Sequence, residues 1–243
     1  MPHSLQLYTL REHLDADLEG TLRRVAEIGY RQVEPYRIVP STSALRAALA
    51  THGLSAPTAH APLLGEQREQ IFSAATQLGI GTVILPASPA ELWTDAAGVE
   101  QIAADVNEVA RAATDHGLRV GYHNHWWEFT PMSGHTALEH FSDHLAENVV
   151  LEIDTYWAAV GGADPVELVT RLGRRVRYLH LKDGPITQEP ADQVALGQGS
   201  MPVPEILEAA THLELAVVEL DDHRGDMFAA VEQSLQYLRA GDK

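Results

Sequence analysis

A chain of 243 residues with 45% hydrophobic content is long enough for a large core in one domain or two, and the absence of cysteine excludes disulfides and thiolate metal sites. A formal net charge of −17 argues against a general binder of nucleic-acid backbone, which needs clustered Lys and Arg to release counterions. No stretch reads as a membrane span and MPHSLQLYTL lacks a basic leader segment, so a soluble, cytoplasmic protein is the expectation.

Short apolar runs alternate with helix-period segments from one end to the other. Strands are predicted at Leu5–Leu10, Gln32–Tyr36, Ser55–His60, Thr82–Pro86, Val120–His125, Val149–Asp154, Val176–Leu181 and Ala216–Leu220. Between them run amphipathic helices: Leu18, Leu22, Val25 and Ile28 form one stripe, Val99, Ile102, Ala103, Val106, Val109 and Ala113 another, and Phe228, Val231, Leu235 and Leu238 the last. Gly29, Gly53, Gly79 and Gly117 stand just past predicted helix ends. Asp164-Pro165-Val166-Glu167 reads as an N-cap, a first-turn proline and a glutamate able to close a capping box. Eight strand-plus-helix units in 243 residues average about 30 each, as in a (β/α)8 TIM barrel of roughly 250 residues. No linker or composition break divides residues 1–243, which predicts a single domain. A doubly wound open sheet is the competing architecture, weakened because the first turn, Thr9-Leu10-Arg11-Glu12, has no GxGxxG fingerprint.

The segment Arg119–Thr130, RVGYHNHWWEFT, concentrates two histidines, an asparagine, two tryptophans and a glutamate at a strand end, where burial of such groups is costly outside a site. Chemistry in a barrel collects at the C-terminal strand ends. The last polar residues of the later strands are Glu128, Asp154, His180 and Glu219, and Glu128, Asp154 and His180 are spaced by 26 residues, one strand-helix unit. Three carboxylates and an imidazole suit Mn²⁺, Mg²⁺ or Co²⁺, with Zn²⁺ or Fe²⁺ also compatible.

The segments YHNHWWEF, EIDTYWAAVGGADPVEL, YLHLKDG, LGQGSMP and VVELDD, in that order, with the opening LQLYTLRE, resemble the xylose-isomerase-like sugar phosphate isomerase/epimerase superfamily over nearly the whole chain. Within it they are most similar to the branch of inosose dehydratases, ketose 3-epimerases and enzymes that process 3-keto-glycosides. The resemblance implies one divalent ion, Mn²⁺ first, held by Glu128, Asp154, His180 and Glu219. It further implies that Glu128 and Glu219 double as the acid/base pair on opposite faces of a keto-sugar whose enediolate the metal stabilises. Proton return gives epimerisation or isomerisation; loss of a β substituent gives dehydration or glycoside cleavage.

Period-two alternation puts Lys182 on the face of His180, where it either polarises a carbonyl or forms a salt bridge to Glu152 or a neighbouring acid. His123 and His125 share a face, and His125, nearer the strand end, is the better substrate contact. His60 in TAHAPL, Glu34 at the second strand end and Trp157 are further substrate-binding candidates, although core packing is at least as good a reading for the tryptophan. His52 and His116 suit helix ends. Gly197-Gln198-Gly199 lies where barrels often hold phosphate, but no Lys or Arg is near it in sequence, so a phosphorylated substrate is not expected. The short loop after His60 predicts an open mouth that admits more than a free hexose or is closed by another subunit. The expected partners are therefore a small sugar substrate and either a second copy or a small subunit.

Two rivals are weaker. Endonuclease-IV-type barrels need extra zinc-binding histidines, and the position three residues after Asp154 is Trp157. A non-catalytic sugar-binding or scaffolding barrel would gain little from retaining two acid/base glutamates.

Overall fold

The computed structural model describes residues 2–132 and 134–241. Eight parallel strands, β1 His3–Gln6, β2 Gln32–Glu34, β3 Thr58–His60, β4 Thr82–Leu85, β5 Arg119–His123, β6 Val149–Asp154, β7 Val176–Leu181 and β8 Leu215–Val218, form one sheet in the order β2-β1-β8-β7-β6-β5-β4-β3. The edges β2 and β3 meet through a parallel bridge between Gln32 and Ser55, with Val33 N donating to Ser55 O at 2.9 Å and His60 N to Pro35 O at 2.9 Å. These contacts bring the sheet round into a TIM barrel with helices outside.

The predicted β6 and β7 coincide with the observed strands, whereas the others shift by one to four residues at one end or both. The largest change is in β1, where Leu7–Leu10 leaves the sheet as a 3-10 turn, started by the Gln6 side chain accepting from Tyr8 N. The three helical stripes pack on the barrel: Leu22 and Val25, then Val99, Ile102, Ala103, Val106, Val109 and Ala113, then Phe228, Val231, Leu235 and Leu238 are all buried. Gly53 and Gly79 end their helices at φ of 65° and 73°, a left-handed backbone that glycine adopts without a Cβ penalty. Asp164 caps the helix Pro165–Leu172 by accepting from Val166 N and Glu167 N. No reciprocal capping box forms there, since the Glu167 carboxylate pairs with Arg171 at 3.2 Å. Among the described residues no helix is long and apolar enough to cross a membrane.

Alternation along each strand sorts the side chains. On β6, Leu151 and Ile153 join the core under the helices, while Val150 joins Ile84, Tyr178, Leu215 and Val217 in a separate apolar cluster inside the barrel. That cluster is the floor of the site. Gly121 fits closely above it, since a Cβ there would lie 3.0 Å from Ile84 Cγ1 and 3.4 Å from Val150 Cγ2 and would press on both side chains.

Candidate metal and active site

Above the apolar floor, the same alternation aims Glu34, His60, His123, Glu152, Asp154, His180 and Lys182 inward, and all seven are buried. Glu152 is the hub. Its Oε2 lies 2.6 Å from His60 Nε2, 3.2 Å from His123 Nδ1 and 3.1 Å from His180 Nε2. The other face of His180 meets Glu219, with Nδ1 2.6 Å from Oε2, and His180 Nε2 also lies 2.7 Å from Glu34 Oε1, which accepts from Gln6 Nε2 at 2.8 Å. Lys182 Nζ sits among three carboxylates: Asp154 Oδ2 at 2.7 Å, Glu219 Oε2 at 2.8 Å and Asp221 Oδ2 at 2.8 Å.

Two overlapping groups have ligand atoms mutually within 4.8 Å: His123, Asp154, His180 and Glu219, and beneath the same histidines His60, His123, Glu152 and His180. In the first, His180 turns Nδ1 to Glu219 and keeps Nε2 for Glu34 and Glu152; His123 turns Nε2 toward Asp154 at 3.8 Å and Nδ1 to Glu152. That is the arrangement of a metal-ligating histidine whose second ring nitrogen is fixed by a carboxylate. The donor chemistry fits a divalent ion on further grounds. Asp154, Glu219 and Asp221 crowd a single lysine, while Glu34 and Glu152 meet the imidazole of His180. Glu34 Oε2 and Glu152 Oε1 are buried with no hydrogen-bond partner.

Electrostatics follow from burial and this network. Burial opposes charge on His180 and His60, but Glu152 and Glu219 outweigh it for His180, and Glu34 and Glu152 for His60, so both pKa values are raised. Burial alone would raise Glu219, yet Lys182 and His180 hold it well below the usual carboxylate range. Lys182 is held well above its ordinary value, Asp154, Asp221 and Glu219 outweighing desolvation. Desolvation pushes Asp154 up to about 6 and, with Lys182 adding, His125 down to about 3.

The structure brings together Asp154, His180 and Glu219 of the tetrad expected from sequence, and the fourth residue that meets them is His123. Among the described residues Glu128 belongs to neither group. The strand ends at His123, and the chain turns away through the 3-10 segment Trp127–Phe129, so Glu128 reaches back to Tyr122, one residue out of phase with His123. Its Oε1 accepts from Tyr122 Oη at 2.9 Å and its Oε2 from His125 N at 2.9 Å, and burial pushes its pKa up to about 8.

The cavity above the cluster measures about 540 Å³, and its wall includes His60, His123, His125, Glu219 and Asp221. His60 and His125 thus stand where substrate contacts were expected. His125 stacks on Trp127 at 4.3 Å with an unpartnered Nδ1. Glu34 departs from that expectation: it is fully buried beneath His180 and Gln6 and is not part of the wall. Trp157 departs too. Its backbone N is held by Asp154 Oδ1 at 2.8 Å, which turns the ring into the core between Trp126 and Tyr156 and leaves it 5.4 Å from Lys182 Nζ. Lys182 pairs with Asp154, Glu219 and Asp221 rather than Glu152 and does not border the cavity.

Three functional positions do not stand out in the sequence. Glu152 enters there only as a salt-bridge partner for Lys182. Asn124, the N of YHNH, braces β5 against β6 by accepting from Asp154 N at 3.0 Å and donating to Asp154 O at 3.1 Å. Asp183 fills the Gly197–Gly199 loop: its carboxylate accepts from Gly184, Gly197, Gly199 and Met201 N, so the protein's own anion takes the amides a phosphate would need. Alternation two residues before Asp154 marks Glu152, and the polar residue following Lys182 is Asp183; Asn124 carries no such signal.

A family model described as a xylose isomerase-like TIM barrel matches residues 22–241. No curated protein sequence matches significantly. Among solved structures, a sugar phosphate isomerase/epimerase from Parabacteroides distasonis superposes with TM-score 0.83 at 23% identity, covering 98% of this chain and 93% of that one. The IolI protein with a bound zinc atom gives TM-score 0.78 at 15% identity, covering 99% and 98%. The probable 3-DHS dehydratase AsbF of Bacillus anthracis, involved in petrobactin synthesis, gives 0.76 at 14%, covering 98% and 99%. At these identities the likeness is one of fold.

Proposed function

Because the chain belongs to the xylose isomerase-like TIM-barrel family, we propose that it is a divalent-metal-dependent isomerase or epimerase of a keto-sugar or related polyol. The observation that carries this reading is the convergence of His123, Asp154, His180 and Glu219 at the C-terminal strand ends, with His123 and Glu219 also bordering the cavity. With two imidazoles and two carboxylates, the set leans toward Mn²⁺, Co²⁺, Zn²⁺ or Fe²⁺ and away from Mg²⁺. A bound ion would supply Lewis-acid polarisation of a substrate carbonyl.

The chain's own residues do the rest. Glu219, kept ionised by Lys182 and His180, takes the proton α to the carbonyl, leaving an enediolate. His60, from β3 and biased toward its protonated form by Glu34 and Glu152, returns a proton to the carbon. Return on the opposite face inverts that carbon; return to its neighbour isomerises the sugar. Lys182 acts by fixing the charge and position of Glu219, and neutral His125 offers its free Nδ1 to a substrate hydroxyl. The filled Gly197–Gly199 loop supports an unphosphorylated substrate.

His60 also supports a second reading, β-elimination, since an imidazole on the cavity wall that Glu34 and Glu152 bias toward protonation can give a proton to a departing oxygen. One experiment separates the two: incubation with Mn²⁺ and a panel of free ketoses, inososes and 3-keto-glycosides in D₂O, followed by NMR. Solvent deuterium at the α-carbon without loss of a group is expected, and Glu219→Gln is expected to slow exchange by about 10²–10⁴-fold. Release of water or an aglycone selects elimination. No deuterium in any ketose contradicts the isomerase reading.

A further inference from the structure

The cavity wall has two unlike parts. One is the polar cluster already described. The other is built by Tyr8 from the turn after β1, Tyr36, Ile38, Val39 and Pro40 from the segment after β2, and residues after β3, with Arg37 and Gln67 as its polar members. At about 540 Å³ the whole space falls in the range that encloses drug-sized ligands of 300–1,000 Å³, so a sugar over the cluster leaves the apolar part to be filled.

That part is a built surface. Tyr8 and Tyr36 meet edge to face, 5.3 Å between centroids at 81°. The Arg11 guanidinium lies 4.5 Å over the Tyr8 ring, donates to Tyr8 O at 3.1 Å and reaches Asp221 O at 2.8 Å. Asp221 in turn holds Lys182 and Gln193, which ties the aromatic wall to the floor of the catalytic cluster. Arg37 takes a left-handed φ of 50°, a conformation costly for a residue with a Cβ, at the corner that carries Tyr36 and Ile38 into the same wall. Tyr8 is nonetheless 39% exposed, an aromatic face left open beside a site.

Resting on the reading of the cluster as a keto-sugar site, we propose that the substrate is a keto-sugar bearing a planar apolar substituent, an aryl glycoside whose sugar ring carries the carbonyl, with its aromatic ring against Tyr8 and Tyr36 and its sugar over His60, His125 and Glu219. Paired tyrosines favour a flat aromatic group, which stacks or meets them edge-on, over a flexible alkyl chain.

The test is calorimetric binding of 4-nitrophenyl and methyl glycosides of glucose, galactose, mannose and xylose, both anomers, to the Mn²⁺-loaded protein; these lack the carbonyl and so report binding without reaction. At least one 4-nitrophenyl glycoside is expected to bind about tenfold or more tightly than its methyl counterpart. Tyr8→Ala and Tyr36→Ala are each expected to bring that ratio to within about threefold of unity, and Tyr8→Phe to keep it. Ratios near unity for every sugar, absence of binding included, overturn the proposal, as does a ratio that survives both alanine variants. Deuterium exchange on free ketoses is independent of these ratios. Exchange without aryl preference refutes the apolar arm alone, and aryl preference without exchange refutes the isomerase reading alone.

Discussion

Glu152 never reaches the cavity wall, yet its single oxygen Oε2 touches three imidazoles. Carboxylates that orient metal-ligating histidines typically account for 10–100-fold in metal affinity, so Glu152→Gln is expected to weaken metal retention by about that factor, read with a competing chelator. Glu128 makes a separate prediction. Its pKa rises from 4.5 to about 8 through burial, so the folded state holds this proton more tightly than the unfolded chain does. The contribution favours folding at low pH and is lost as pH rises from 4.5 toward about 8. Relative to Glu128→Gln, the metal-free wild type should therefore lose stability over that window, by about 1.4 kcal/mol for each pH unit crossed, in urea melts at several pH values. A difference that does not change with pH contradicts it. The contrast between these glutamates shows what the residues alone made legible. Asp154, His180 and Glu219 follow from strand parity. His123 against Glu128 depended on where β5 stops, and nothing in HNHWWEF marks His123 as the last strand residue.

At the scale of elements, strand ends are held by side chains that look like loop polarity in the sequence. Asn124 is fully buried and satisfies both backbone groups of Asp154. Asn124→Ala strands them at about 1–3 kcal/mol each. The thermal midpoint should fall by about 2–4 °C per kcal/mol for a chain of this size, and metal affinity should fall with it, because Asp154 loses its brace. The segment from Asp183 to Met201 depends in the same way on one carboxylate that accepts from four amides. Asp183→Ala is expected to make this segment the first site of limited proteolysis, mapped by mass spectrometry; unchanged cleavage would show that the loop is held by other contacts. Helix stripes and glycine stops were readable because burial and a left-handed backbone leave compositional marks. Strand limits were not, since the polar ends of β1, β2 and β5 alternate as well in a turn as in a sheet.

For the whole molecule, the barrel is a frame that forces a surplus of carboxylates against Lys182 and three imidazoles, a repulsion that a divalent ion would relieve. An ion that binds only the folded chain stabilises it by about 2.7 kcal/mol at a hundred times its Kd, so adding Mn²⁺ to metal-free protein should raise the thermal midpoint by several degrees, and EDTA should reverse it. The eight-fold alternation was legible in the sequence as a barrel; the meeting of His123 with Asp154, His180 and Glu219 was not, because it depends on how neighbouring strands register around the axis. The most direct test of the site is metal content after dialysis, by inductively coupled plasma mass spectrometry. Close to one ion per chain is expected for wild type and for Glu128→Gln, with loss in His123→Asn and Asp154→Asn. Retention in both of those variants, or loss in Glu128→Gln alone, would contradict the site described here.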